Sequence, residues 1–265
     1  MGFPEDMTQK MISEIPSEKA GVTNDDYYEN FDSFFDLQMM GERIEHVGLP
    51  EDVAERLRSS ERNDFLVLGS ATVKNINEVT RIAHHIHGKK QVVNDVITIV
   101  DLNDTSIRMH KEAVEQLDRK SDWTGTTVRE SSAEAFPYPR FNVERGDIRN
   151  LPYGDSTKDV VISDYTINFL DTPEDINGCF GEVARVLKED GVLFIAFRYK
   201  KDDDAPIERA SQGGVIISKM RLEDYLASAT RSGLTILKKE TIYTEGAAGD
   251  IMVVFGKDPD KRSRT

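Results

Sequence analysis

Between residues 64 and 200, apolar runs and amphipathic stretches take turns, and that alternation leaves few folds open. "DFLVLG", "DVITIVDLN", "RFNVERGDI", "KDVVISDYT" and "GVLFIAFRY" read as strands, being short and rich in β-branched and aromatic residues. Between them, "INEVTRIAHHIHG", "TSIRMHKEAVEQLDRK" and "PEDINGCFGEVARVLKEDG" read as helices. Gly88 is expected to stop the first, while Pro173 opens the last and Gly191 closes it. Upstream, "LPEDVAERLRSS" reads as a further helix, with Pro50 at its start, acids early and arginines late. Strand and helix in alternation, joined by short connections, predict parallel strands with right-handed crossovers, hence a doubly wound α/β sheet with helices on both faces. The tail departs from the pattern. "LTILKKETIYT" and "DIMVVFGKD", separated by "EGAAG", predict an antiparallel pair at one edge.

Ligands of such sheets bind beyond the carboxyl ends of the strands, where strand order reverses. The first strand is followed by Gly69, Ser70, Ala71 and Thr72, and the second ends in Asp101. Asp147 follows the third, and Asp164 and Tyr165 follow the fourth. An acid in Asp101's position serves either to hold the hydroxyls of a ribose or to cap the next helix. Asp147 is placed to accept a hydrogen bond from an adenine amino group. Each position alone carries little weight; four strand ends presenting ligand-like groups to one edge carry more.

The stretch from 141 to 197 adds Leu151-Pro152-Tyr153, then Asp159-Val160, then Arg185-Val186-Leu187-Lys188 with Gly191. With Asp147, these pieces resemble the central motifs of class I S-adenosylmethionine-dependent methyltransferases, most closely the small-molecule branch that includes the quinone-biosynthesis enzymes. A fainter likeness extends over residues 62–118 and 218–257. The resemblance implies a Rossmann-like, seven-stranded, mostly parallel sheet whose last strand is antiparallel. It implies S-adenosyl-L-methionine as cofactor and a small-molecule acceptor. By position, Gly69, Ser70, Ala71 and Thr72 would wrap the methionine part of the cofactor. Asp101 would bind the ribose, and Leu102 would pack on the adenine. Asp147 and Ile148 would meet the adenine's edge and face, with Asp164 and Tyr165 beside the methionine end.

One motif departs from that family. Its loop usually reads acid-x-Gly-x-Gly-x-Gly, whereas here Val67 stands in place of the acid and Ala71 and Val73 replace glycines. Forcing Ala into a left-handed conformation costs roughly 1–2 kcal/mol, and the lost acid removes a partner for the cofactor's ammonium group. Two classes of function therefore follow: an active methyltransferase, which is the expectation, and a catalytically inactive relative that acts as a binding or regulatory partner. No catalytic residue is assigned, because in-line methyl transfer can rest on positioning alone.

Composition narrows the alternatives. The 48 acidic against 34 basic residues give a net charge of −14, which repels phosphate backbones and argues against nucleic acid as substrate. "SDYT" also stands where base-amino methyltransferases carry a Pro-Pro-aromatic motif. The single Cys179 leaves no disulfide and no cysteine cluster. His84 and His87 lie one helical turn apart without a visible third ligand, so a solvated helix face and no metal are expected. Apolar runs fall short of the ~20 residues that span a bilayer. The polar N-terminus lacks a secretory profile, and a cytoplasmic protein is expected. Residues 1–58 read as an arm and helical cap, 59–258 as the Rossmann-like domain and 259–265 as a polar tail. Tyr27 and Tyr28 fall where relatives place an aromatic lid. Long connections at 119–139 (with Trp123) and 201–217 are expected to shape an acceptor pocket, and Arg198 and Tyr199 to end the fifth strand near it.

Overall fold

The computed structural model describes residues 48–69, 74–87, 92–119, 138–170, 172–201, 220–245 and 248–257. The proposed lid tyrosines, Trp123, Gly88, the 202–219 stretch and the loop residues Ser70, Ala71 and Thr72 lie outside them. The strands are β1 (Asp64–Leu68), β2 (Val96–Asp101), β3 (Arg140–Arg145), β4 (Lys158–Asp164), β5 (Leu187–Lys200), β6 (Leu234–Glu245) and β7 (Ala248–Lys257). The helices are α1 (Glu51–Ser59), α2 (Lys74–His87), α3 (Asp104–Arg119), α4 (Pro173–Val186) and α5 (Leu222–Arg231).

The strands form one sheet in the order β3-β2-β1-β4-β5-β7-β6. Its first five strands are parallel to their neighbours, and β7 runs antiparallel to both β5 and β6. This is the doubly wound Rossmann-like sheet, with a reversed last strand, that the alternation and the tail predict. Central strands are buried on both faces, which is why β2 reads as an unbroken apolar run. The edges differ. β3 alternates exposed and half-buried residues, and β6 presents Lys238 and Lys239, charges that discourage further pairing.

Side-chain alternation along each strand divides the core in two. On one face Leu66, Leu68, Val161, Leu193, Ile195, Phe197 and Phe255 pack under α4 and α5, through Phe180, Val183 and Tyr225. On the other, Phe65, Val67, Ile97, Ile99, Ile162 and Phe194 pack under α1 and α2, through Leu57, Val79, Ile82 and Ile86. Burying each such side chain contributes about 1.5–3 kcal/mol. β6 slips register twice, once between Ile236 and Lys238 and once between Thr241 and Tyr243. The skipped residues, Leu237 and Ile242, pack against the second core instead.

Helix α4 begins as its sequence predicts: Pro173 occupies the first turn and Thr172 accepts the Asp175 N–H at 3.1 Å. Its end is a correction. The helical reading runs through Lys188 to Gly191, but α4 stops at Val186 and residues 187–190 are extended and join β5. The last carbonyls of α4, those of Arg185 and Val186, accept the N–H groups of Ser156 (2.9 Å) and Thr157 (2.8 Å), so the helix is capped from outside. Leu187 is then fully buried and pairs with Lys158. Gly191 is not a helix stop: a Cβ there would sit 2.9 Å from Leu187 Cδ2 and 3.0 Å from two carbonyl oxygens.

Candidate active site

The order of strands reverses between β1 and β4, so the crevice that such sheets use lies at the carboxyl ends of those two strands. At the end of β1, Gly69 turns the chain with φ +62° and donates its N–H to the Val100 carbonyl at 2.8 Å. At the end of β4, Tyr165 also adopts a left-handed φ of 55°, a strained conformation for a non-glycine residue. That turn throws Thr166 back toward β1. Its hydroxyl donates to the Leu68 carbonyl at 2.6 Å and lies 3.1 Å from the Gly69 carbonyl oxygen. A Cβ on Gly69 would collide with the Thr166 side chain, so glycine is required by both backbone and space.

The residues after Tyr165 form a short 3-10 turn, Thr166–Phe169, that is fastened to β5. Buried Asn168 donates its amide to the Arg198 carbonyl (2.8 Å) and accepts the Arg198 N–H (3.0 Å), imitating one rung of a strand ladder. Arg198, expected to face a pocket, places its guanidinium on Asp250 of β7 at 2.8 and 3.1 Å.

A small void of about 10 Å³ lies beside Gly69, lined by Val67, Gly69, Glu78, Val79, Ile82, Ile162 and Asp164. Glu78 escaped the sequence reading. It sits on α2, and only its place about one turn into the helix that follows the loop could have pointed to it. The expected acid position on β1 is filled by Val67, yet a carboxylate still borders this void, from the helix rather than the strand.

Asp101 ends β2 and is 5 % exposed. Its Oδ1 accepts the Asn103 N–H at 2.9 Å, and its Oδ2 accepts the Ser106 hydroxyl at 2.9 Å. The cap of α3 is Asn103, whose side-chain oxygen accepts the Ser106 N–H at 2.9 Å. Asp101 is thus not the helix cap, and each of its oxygens keeps accepting capacity. Burial pushes its carboxyl above the ordinary value, and the bonds from Asn103 and Ser106 draw it partly back. The next residue, Leu102, is 54 % exposed, a large apolar side chain left at the rim.

The remaining two site residues sit differently. Asp147 is held by its own neighbour: Arg149 Nε lies 2.9 and 3.1 Å from its two oxygens, and Nη2 lies 2.7 Å from Oδ2. The guanidinium holds the Asp147 carboxyl below the usual carboxylate range. Arg149 also reaches Asp175 on α4 at 2.8 Å. Ile148 is buried in the core with Leu151 and Val100. The motif pieces around them build the frame. Arg185 binds the carbonyls of Leu151 (3.0 Å) and Tyr153 (2.7 Å), and Asp159 receives Lys188 at 2.7 Å and the Asp64 N–H at 2.9 Å.

His87 corrects the expectation of a solvated face: it is 1 % exposed. Its Nε2–H donates to the Ser60 carbonyl at 2.6 Å and its Nδ1 lies 2.8 Å from Asp95 Oδ1, at the opposite edge of the sheet from the crevice. Among the described residues, no three or more His, Cys, Asp or Glu side chains gather to hold a metal ion, and no helix is long and apolar enough to cross a membrane.

Residues 87–195 match the family model described as a methyltransferase domain. No curated protein sequence matches the chain. Among solved structures it is similar to the [4+2]-cyclase SpnF, at 14% identity over 78% of this chain and 79% of that one, with a TM-score of 0.56. A SAM-dependent methyltransferase from Methanosarcina mazei is 14% identical over 77% of this chain and 97% of its own, with a TM-score of 0.53. Geranyl diphosphate C-methyltransferase from Streptomyces coelicolor A3(2), solved with S-adenosyl-L-homocysteine, is 10% identical over 78% and 76%, also at 0.53. These likenesses define the fold: a Rossmann-like methyltransferase fold, here with a matching methyltransferase domain in its central part. One of these neighbours is a cyclase, so the fold by itself does not fix the chemistry.

Proposed function

We propose that this protein is an S-adenosylmethionine-dependent methyltransferase acting on a small-molecule acceptor. The observation that carries the reading is the convergence of Gly69, Asp101 and Asp164 on the carboxyl edge, around the point where strand order reverses. The residues present suit the cofactor. Asp101 offers oriented acceptors for ribose hydroxyls, exposed Leu102 offers an apolar surface for a base, and Gly69 turns the chain at the crevice with φ +62°. Glu78, which lies 4.0 Å from Arg81, and Asp164 border the small void next to Gly69 and would bring carboxylates near a cationic end group. In this reading they replace the acid that Val67 displaced, which answers the departure in the loop.

When bound, the cofactor supplies a methyl group on a sulfonium, open to in-line attack. The chain's part would be to hold: Asp101 would take one end and Glu78 and Asp164 the other, beside the hydrogen-bonded turn from Tyr165 to Phe169. Orientation of this kind can supply several kcal/mol of the barrier.

Calorimetric titration with S-adenosylmethionine and S-adenosylhomocysteine tests the reading. Micromolar binding, weakened at least about tenfold by Asp101→Ala, supports it. No heat up to millimolar ligand, or an affinity untouched by Asp101→Ala, refutes the site.

A further inference from the structure

Asp101 does not choose its own orientation. Two residues behind it, Ser106 and His110, back it with hydrogen bonds. The His110 Nδ1 lies 2.7 Å from the Ser106 carbonyl oxygen, an acceptor only, so this nitrogen carries the proton. The same N–H lies 3.5 Å from Ser106 Oγ. With a donor on that side, the Ser106 hydroxyl proton is directed to Asp101 Oδ2 at 2.9 Å. Ser106 and His110 are 0 % and 1 % exposed, so water does not compete for these bonds. The Asn103 N–H holds the other oxygen, and the carboxylate plane is thereby set from two sides.

We propose that Ser106 is a positioning residue: it locks the Asp101 carboxylate in the orientation in which its outward lone pairs meet the two hydroxyls of a ribose. The proposal rests on the reading of Asp101 given above. It deepens that reading by making the ligand's vicinal diol the feature Ser106 acts on. Ser106→Ala removes the hydroxyl while the backbone N–H that Asn103 caps and the carbonyl that receives His110 both remain.

Titration of S-adenosylhomocysteine into wild type, Ser106→Ala, Asp101→Asn and the double variant, with melting curves to confirm folding, tests it. Ser106→Ala is expected to weaken binding about fivefold alone and less than twofold in the Asp101→Asn background. For a 2′,3′-dideoxy analogue, wild type and Ser106→Ala are expected to bind alike. An equal loss in both backgrounds, or an equal loss for the dideoxy analogue, overturns the proposal by showing that Ser106 acts through the helix. Unchanged binding in Ser106→Ala overturns it too while leaving the methyltransferase reading intact. Absence of binding to wild type removes both.

Discussion

The contact between Gly69 and Thr166 permits a calculation with a sharp outcome. Replacing Gly69 by Ala asks an L-residue to hold φ +62°, at about 1–2 kcal/mol. It also drives a methyl group into the Thr166 side chain, which must leave. The Leu68 carbonyl then loses its 2.6 Å partner, at about 1–3 kcal/mol for a buried polar group left unmade. Gly69→Ala should therefore cost roughly 2–5 kcal/mol, a large share of a typical stability of about 5–15 kcal/mol. Thr166→Ala alone should cost about 1–3 kcal/mol, for the hydrogen bond only. The two losses overlap, because the first substitution already expels the hydroxyl that the second deletes. In the Gly69→Ala background, Thr166→Ala should cost less than about 0.5 kcal/mol, giving a coupling of at least about 0.5 kcal/mol. Urea unfolding of the four proteins measures this directly. A full Thr166→Ala penalty in both backgrounds would show that the threonine does not occupy the space a Cβ at position 69 needs.

Two further outcomes are expected away from the crevice. His87→Ala leaves Asp95 buried without its imidazole partner and should destabilise by about 3–5 kcal/mol in urea unfolding, against under about 0.5 kcal/mol for exposed His85→Ala; equal effects would refute the buried pair. The acid limb of stability should depend on Arg149. The carboxyls of Asp147 and Asp175 are held below their ordinary values by its guanidinium, so their stabilisation is present above the unfolded value of 3.8 and is lost as pH falls through the depressed folded values. Arg149→Gln should flatten the stability profile below about pH 4, and an unchanged profile would sink the assignment.

How far the chain could be read in advance follows from where each determinant lies. β1, β2 and β4 are plain, because strands buried on both faces carry near-continuous apolar runs at their centres. The strand ends carrying Gly69, Asp101 and Asp164 were plain for the same reason: an acid or glycine closing an apolar run is visible without any partner. The fate of residues 187–190 was not. "VLKEDG" has good helical propensity, and only the distant Ser156 and Thr157, which take the last carbonyls, end the helix early. His87 was misread because its periodicity is that of an amphipathic helix, while the carboxylate that buries it comes from the segment before β2. Glu78 gives no sign beyond its place one turn into the helix after the loop. Arg149 did: an arginine two residues after an acid in a tight turn can close back on it, and "GDIRN" spells that arrangement. The motif residues that carry the family resemblance prove mostly to be framework. Arg185, Asp159 and Tyr153 tie loops and strands together, so they signal the fold more than the reaction.

The hook from Thr166 to Leu68 joins points 98 residues apart, and the clasp from Asn168 to Arg198 spans another 30. Contacts of such long range pay their loop-closure entropy late in folding. The crevice therefore needs β1 and β4 to have found one another. A half-folded chain with β1 and β2 already paired would own Asp101 but no floor beside Gly69. A ligand that recognises only the completed edge then stabilises the native side of the folding equilibrium by an amount that grows with its concentration relative to its dissociation constant.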